Sequence, residues 1–165
     1  MSRAFVKEDG ADSWEPVKRQ PSGRPNYVTP AGLEALRQEG QRLAALRAEL
    51  ISRQRPDEAR GHELRQAEAD LAYYEGQLKS ARLTDNSAYA GPDIKFGARV
   101  GVRGADGAVK EYLIVGEDEA DPATGRLNWA SPLAAALLGR KAGERAAFGR
   151  GGEVEIVSVS YGKPA

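Results

Sequence analysis

Apolar residues recur at spacings of three and four through Leu33, Leu36, Gly40, Leu43, Leu46 and Leu50, while Glu34, Arg37, Glu39, Arg42, Arg47 and Glu49 occupy the other faces. This is the stripe of an amphipathic helix. Its start is marked by Tyr27-Val28-Thr29-Pro30: the Thr29 hydroxyl can cap orphan N–H groups, and Pro30 suits the first helical position because it has no N–H to leave unpaired. Ser52-Arg53-Gln54-Arg55-Pro56-Asp57 breaks the pattern, and a second stripe follows through Leu64, Ala67, Leu71, Tyr74, Leu78 and Ala81. Its unbroken heptad spacing requires a facing helix. The connection is too short for anything but an antiparallel neighbour, so residues 27–84 are expected to form an antiparallel two-helix coiled coil. Each arm of about 20 residues reaches roughly 30 Å at 1.5 Å per residue. Only one stripe per helix is apolar, which favours a projecting finger.

After Thr84 the composition shifts to Asn86, Ser87, Gly91 and Pro92, a linker over 85–94, and from Phe96 the period becomes two. Phe96, Ala98, Val100 and Val102 alternate with Gly97, Arg99, Gly101 and Arg103; Ala105-Asp106-Gly107 signals a hairpin turn, and Tyr112 to Val115 is the return strand. A short strand through Leu127 and Trp129 leads to Ser131-Pro132, a cap and a first-turn proline, then to Leu133–Leu138 and a Gly139 stop. The last strand is Val154–Val159. The expected order β-β-β-α-β makes an α+β chain: an antiparallel sheet carrying one short helix over 95–161, with a tail at 162–165.

Residues 1–26 show neither period and are punctuated by Gly10, Pro16, Pro21, Gly23 and Pro25, so they are expected to be a flexible arm with Phe5 and Trp14 as its only large anchors. The 24 basic and 24 acidic residues cancel, so no global field draws the chain onto nucleic acid. Absence of cysteine removes disulfides, thiolate chemistry and cysteine-bound zinc, in keeping with a reducing cytoplasm. The single histidine, His62, has no second histidine to share a metal and is expected to be an exposed helical residue. No apolar run approaches the roughly 20 residues of a membrane helix.

Three segments together carry a resemblance: Tyr27-Val28-Thr29-Pro30-Ala31-Gly32-Leu33-Glu34-Ala35-Leu36, then Tyr112-Leu113-Ile114-Val115-Gly116-Glu117-Asp118-Glu119-Ala120-Asp121, and Ser131-Pro132 through Gly143-Glu144. Over residues 27–161 the chain resembles the Gre family, bacterial transcript-cleavage and elongation factors that bind RNA polymerase. The resemblance implies an FKBP-like C-terminal domain that grips the β′ rim coiled coil of the polymerase secondary channel, and a helical hairpin directed into that channel. It implies a polymerase-binding surface at Asp118, Glu119 and Asp121 together with Ser131, Pro132 and Leu133. Each has a plainer role as well, since acidic loops are commonly just solvated and Ser-Pro starts helices.

The chain departs from the family at the hairpin tip. Cleavage-active members resemble one another in an acidic motif, Asp-Leu-(Ser/Lys)-Glu-Asn-Ala-Glu-Tyr, which helps hold a second Mg²⁺ at the polymerase active site; no such segment occurs here. The tip falls at Arg55, Asp57 and Glu58, with arms shorter than the family's by roughly two heptads in total. Asp57 and Glu58 are formal Mg²⁺ contributors there, but acids in a first turn also favour the positive helix end, and Arg53, Arg55 and Arg60 would offset their charge. No intrinsic cofactor or metal is expected.

The function expected from the sequence is therefore that of a monomeric cytoplasmic factor that binds RNA polymerase near the secondary channel and modulates elongation, pausing or initiation without strong cleavage stimulation. Cleavage stimulation through Asp57 and Glu58 is the near alternative. A peptidyl-prolyl isomerase and a coiled-coil adaptor are the alternatives from other classes.

Overall fold

The computed structural model describes residues 14–53 and 57–162. Two helices of 23 residues each, α1 (Pro30–Ser52) and α2 (Glu58–Ser80), pack antiparallel as the finger. Thr29 caps α1 by accepting from the Gly32 N–H at 3.0 Å, with Pro30 at the first helical position. Leu36, Leu43 and Leu50 of α1 and Ala67 of α2 are buried in the seam, while Leu64, Leu71, Tyr74 and Leu78 are half-buried along it. Partial burial is what a two-helix finger allows, because each helix packs its apolar stripe chiefly against one other helix.

The finger is closed at its base by a parallel pair of two-residue strands, β1 (Tyr27–Val28) and β2 (Arg82–Leu83). Arg82 donates its N–H to the Asn26 carbonyl at 2.8 Å and Thr84 to the Val28 carbonyl at 2.9 Å, tying the entry of α1 to the exit of α2. Val28 is buried, and the Tyr27 ring meets Trp129 edge-on at 5.1 Å and Phe96 at 6.1 Å, so the base also seats on the C-terminal domain.

That domain is a five-stranded sheet of β3 (Arg99–Arg103), β4 (Val109–Val115), β5 (Arg126–Asn128), β6 (Arg145–Phe148) and β7 (Gly152–Ser160), in the spatial order β5-β4-β3-β7-β6. Helix α3 (Pro132–Leu137) lies on it, capped by the Ser131 hydroxyl, which accepts from the Ala134 N–H at 3.2 Å. Val100, Val102, Ile114, Ile156, Ala134 and Leu137 form the buried centre. At Gly101 the pairing of β3 with β7 shifts register, and a Cβ there would collide with the Ser158 hydroxyl.

The α+β architecture is the one expected, with local differences. The sheet is mixed, because β5 runs parallel to β4 after the loop at 116–125 carries the chain back across the sheet. Strand β6 adds to the expected order: the alanines of Arg145-Ala146-Ala147-Phe148 give little strand signal, and the segment is held by pairing with β7. Of the arm, Phe5 lies outside the described residues, and residues 14–26 run along α2. There the Trp14 ring stacks on His62 at 4.5 Å, and the Val17 N–H donates to the Gln66 side chain at 2.9 Å. Half-buried under Trp14, His62 is not the exposed residue its helical position suggested.

Candidate functional site

The loop between β4 and β5 carries Glu117, Asp118, Glu119 and Asp121, and the fold divides these acids between two directions. Glu119 turns back toward the finger. Its carboxylate accepts from the Thr29 N–H at 3.0 Å, from the Thr29 hydroxyl, and from the Gly116 N–H at 3.1 Å. It lies where a Cβ of Gly32 would project, so only glycine at that position admits it.

Asp118 also faces the finger. One carboxylate oxygen accepts from the Tyr73 hydroxyl at 2.7 Å and the other from the Gln77 amide at 2.6 Å, while the Arg19 guanidinium stands 3.5 Å away. Burial first, and then the bond to Asp118, push the Tyr73 phenol above its ordinary pKa. Glu117 pairs with Arg24 of the arm at 3.5 Å.

Asp121 instead organises its own loop. It caps the turn Pro122–Thr124, accepting from the Ala123 N–H and the Thr124 hydroxyl, each at 3.0 Å, and lies 3.5 Å from Arg126. The Thr124 hydroxyl, then the Ala123 amide and Arg126, hold its carboxyl below the usual carboxylate range. Ser131 is occupied in capping α3, Leu133 is half-buried against the sheet core, and Pro132 is exposed. The residues assigned to a docking surface by resemblance thus fall into an inward pair, Asp118 and Glu119, and an outward set in which Asp121 and Pro132 are the most available.

At the tip, Arg55 lies outside the described residues. Asp57 caps α2, its carboxylate accepting from the Arg60 N–H at 2.6 Å, and Glu58 occupies the first helical turn. Arg60 reaches across to donate to the Arg53 carbonyl, and Arg53 pairs with Glu49 at 2.7 Å. Among the described residues no group of three or more His, Cys, Asp or Glu side chains is gathered to hold a metal ion.

Tyr73, Gln77 and Arg19 were not singled out in the sequence, although they form the receiving half of the joint. The available signal was weak. Tyr73 and Gln77 are one turn apart on α2, just off the heptad seam, and a glutamine that is only 6 % exposed is unusual for a two-helix finger.

Comparison with known proteins adds an independent line. The family model "Transcription elongation factor, GreA/GreB, C-term" matches residues 90–161. Transcription elongation factor GreA of Desulfovibrio desulfuricans is 33% identical over 150 residues, covering 81% of this chain and 93% of that one. GreB of Neisseria meningitidis serogroup A is 29% identical over 161 residues, covering 82% and 94%. The crystal structure of GreA factor homolog 1 of Thermus thermophilus aligns over 82% of this chain and 99% of that chain at 25% identity, with a TM-score of 0.38, too loose a superposition to carry any argument. With a capped two-helix finger seated on a curled sheet, and relatives a third identical along nearly their whole length, this chain belongs to the GreA/GreB family of transcription elongation factors.

Proposed function

We propose that this chain acts on RNA polymerase, docking near the secondary channel through its C-terminal domain and presenting the finger toward the channel. In this reading it modulates transcription without strongly stimulating transcript cleavage. Kinship with GreA and GreB supports the partner. One observation carries the distinction from cleavage: the Asp57 carboxylate, the leading acid of the tip, is already bonded to the Arg60 N–H at 2.6 Å, with the Arg60 side chain lodged against the Arg53 backbone. A hard cation would have to break a helix cap to recruit it, amid positive side chains.

Docking is assigned to Asp121, Pro132 and the exposed edge of Leu133 on the β′ rim coiled coil, with Ser131 shaping the turn. Asp118 and Glu119 then serve docking by holding the loop against the finger. The factor is read as a cytoplasmic monomer. A groove beside α3, lined by Val102, Tyr112, Leu133 and Phe148 together with the polar Asp106 and Lys110, encloses about 160 Å³. That is below the roughly 300 Å³ at which small-molecule sites begin, and it weighs for docking over isomerase chemistry.

The deciding experiment adds purified protein to a backtracked elongation complex. The expected result is transcript shortening no faster than with polymerase alone, while the protein still co-purifies with polymerase and does so less when Pro132→Ala or Asp121→Lys is introduced. Rapid shortening that disappears in Asp57→Ala or Glu58→Ala would overturn the non-cleaving assignment. Retention on other partners with no polymerase recovered would overturn the docking assignment.

A further inference from the structure

Residues 14–26 follow α2 in the same direction as the helix, fastened at intervals. Arg65 lies over the Trp14 ring at 5.3 Å, and Val17 exchanges two 2.9 Å bonds with the Gln66 side-chain amide. Asn26 donates to the Gln77 carbonyl at 2.9 Å and to the Ser80 hydroxyl at 3.2 Å. His62, Gln66, Tyr73, Gln77 and Ser80 thus make a polar stripe beside the apolar seam, and the arm occupies it. Pro16, Pro21 and Pro25 restrict the backbone, which lowers the entropy lost when the arm lies down.

Arg19 is where arm, finger and C-terminal domain meet. Its guanidinium donates to the Tyr74 hydroxyl at 2.7 Å, lies over the Tyr73 ring at 4.4 Å and faces Asp118 at 3.5 Å. Arg24, five residues on, reaches Glu117 on the same loop. We propose that residues 14–26 are a strap that sets the angle between the finger and the C-terminal domain, with Arg19 as its principal fastening and Arg24 as the second.

The reason a strap matters is leverage. The contacts of Thr29, Tyr73 and Gln77 with the loop all lie toward the base of the finger, so a small rotation there is magnified along the helices. A swing of roughly 10° moves a residue 18 positions along α1, about 27 Å out, by about 5 Å. Arg19 adds attraction from a second side of Asp118 and resists that rotation. A partner receiving the finger then meets it already aligned, with less ordering to impose. The strap is a property of the isolated protein and stands or falls separately from the choice of partner.

The chain contains no cysteine, so Ala48→Cys on α1 and Ala147→Cys on β6, both exposed, give two unique spin-label sites in the 165-residue chain. Dipolar spectroscopy on the isolated protein is expected to give one narrow distance distribution. Introducing Arg19→Ala with Arg24→Ala should widen it by several ångströms, in line with the roughly 10° lever above. Arg19→Lys should fall between, because an ammonium keeps the charge opposite Asp118 but loses the planar stacking on Tyr73. Both arginine side chains are about half exposed, so the variants should keep the parent far-UV helix signal. An unchanged width in the double variant with helix content intact would overturn the proposal, as would an Arg19→Lys variant wider than the double variant.

Discussion

Replacing Gly32 by alanine sets two effects of opposite sign against each other. Gly32 lies in the first turn of α1 with ordinary helical backbone, and helix propensity alone makes alanine better there by up to about 1 kcal/mol. The added Cβ, however, would occupy the space of the Glu119 carboxyl. Glu119 is a flexible side chain and can swing away, but only by leaving the Thr29 N–H, the Thr29 hydroxyl and the Gly116 N–H. Bonds to a charged acceptor are worth about 1.5–3 kcal/mol each, and water replaces much of that at a half-buried site, leaving a loss of about 2–3 kcal/mol in all. The net destabilisation is then about 1–2 kcal/mol, a fall in Tm of roughly 2–8 °C for a chain of this size. The assay is thermal unfolding of the parent, Gly32→Ala, Glu119→Ala and the double variant. In the Glu119→Ala background the clash and the bonds are both gone, so Gly32→Ala should be neutral or stabilising, giving a coupling of about 2–3 kcal/mol. A higher Tm for Gly32→Ala alone, or an equal change in both backgrounds, would refute the assignment of Glu119 as the clamp on the finger.

Other consequences follow from the same geometry. The Tyr73 phenol titrates above its usual value in the folded chain, so its contribution is fully present below about pH 10, the unfolded value, and is lost as pH rises beyond it. The urea midpoint of the parent should therefore fall relative to Tyr73→Phe as the pH rises from about 9.5 to about 11.5, and parallel midpoints for the two proteins would contradict the raised titration of this phenol. Asp57→Ala should cost about 1 kcal/mol by uncapping α2, whereas Asp57→Asn should cost little because asparagine caps equally well; melting followed by far-UV circular dichroism separates them. Leu50 is wholly buried near the far end of the finger, so Leu50→Ala should destabilise by about 2–4 kcal/mol and speed amide exchange in the last turns of α1 and the first of α2.

The finger and its ends were legible in the chain because their determinants are local. Stripes at spacings of three and four place Leu36, Leu43, Leu50 and Ala67 on one seam regardless of what lies elsewhere, and Thr29-Pro30 and Ser131-Pro132 start helices through bonds to residues three positions on. Alternation from Phe96 to Val102 made β3 readable, and the short apolar runs Tyr112–Val115 and Val154–Val159 did the same for β4 and β7. What stayed hidden depends on where separate elements come to rest. The acids of the loop read as a solvated run, yet Asp118 finds Tyr73 and Gln77 at separations of 45 and 41 residues, and Glu119 finds Thr29 at 90. No local pattern encodes such partners, because an unpaired carboxylate and one destined for a distant hydroxyl are the same residue in the chain. The arm is the same case: its prolines and charges satisfy every criterion for a free leader. The stripe of His62, Gln66, Tyr73 and Gln77 exists only on the assembled finger, where it supplies the acceptors and rings that hold the arm down.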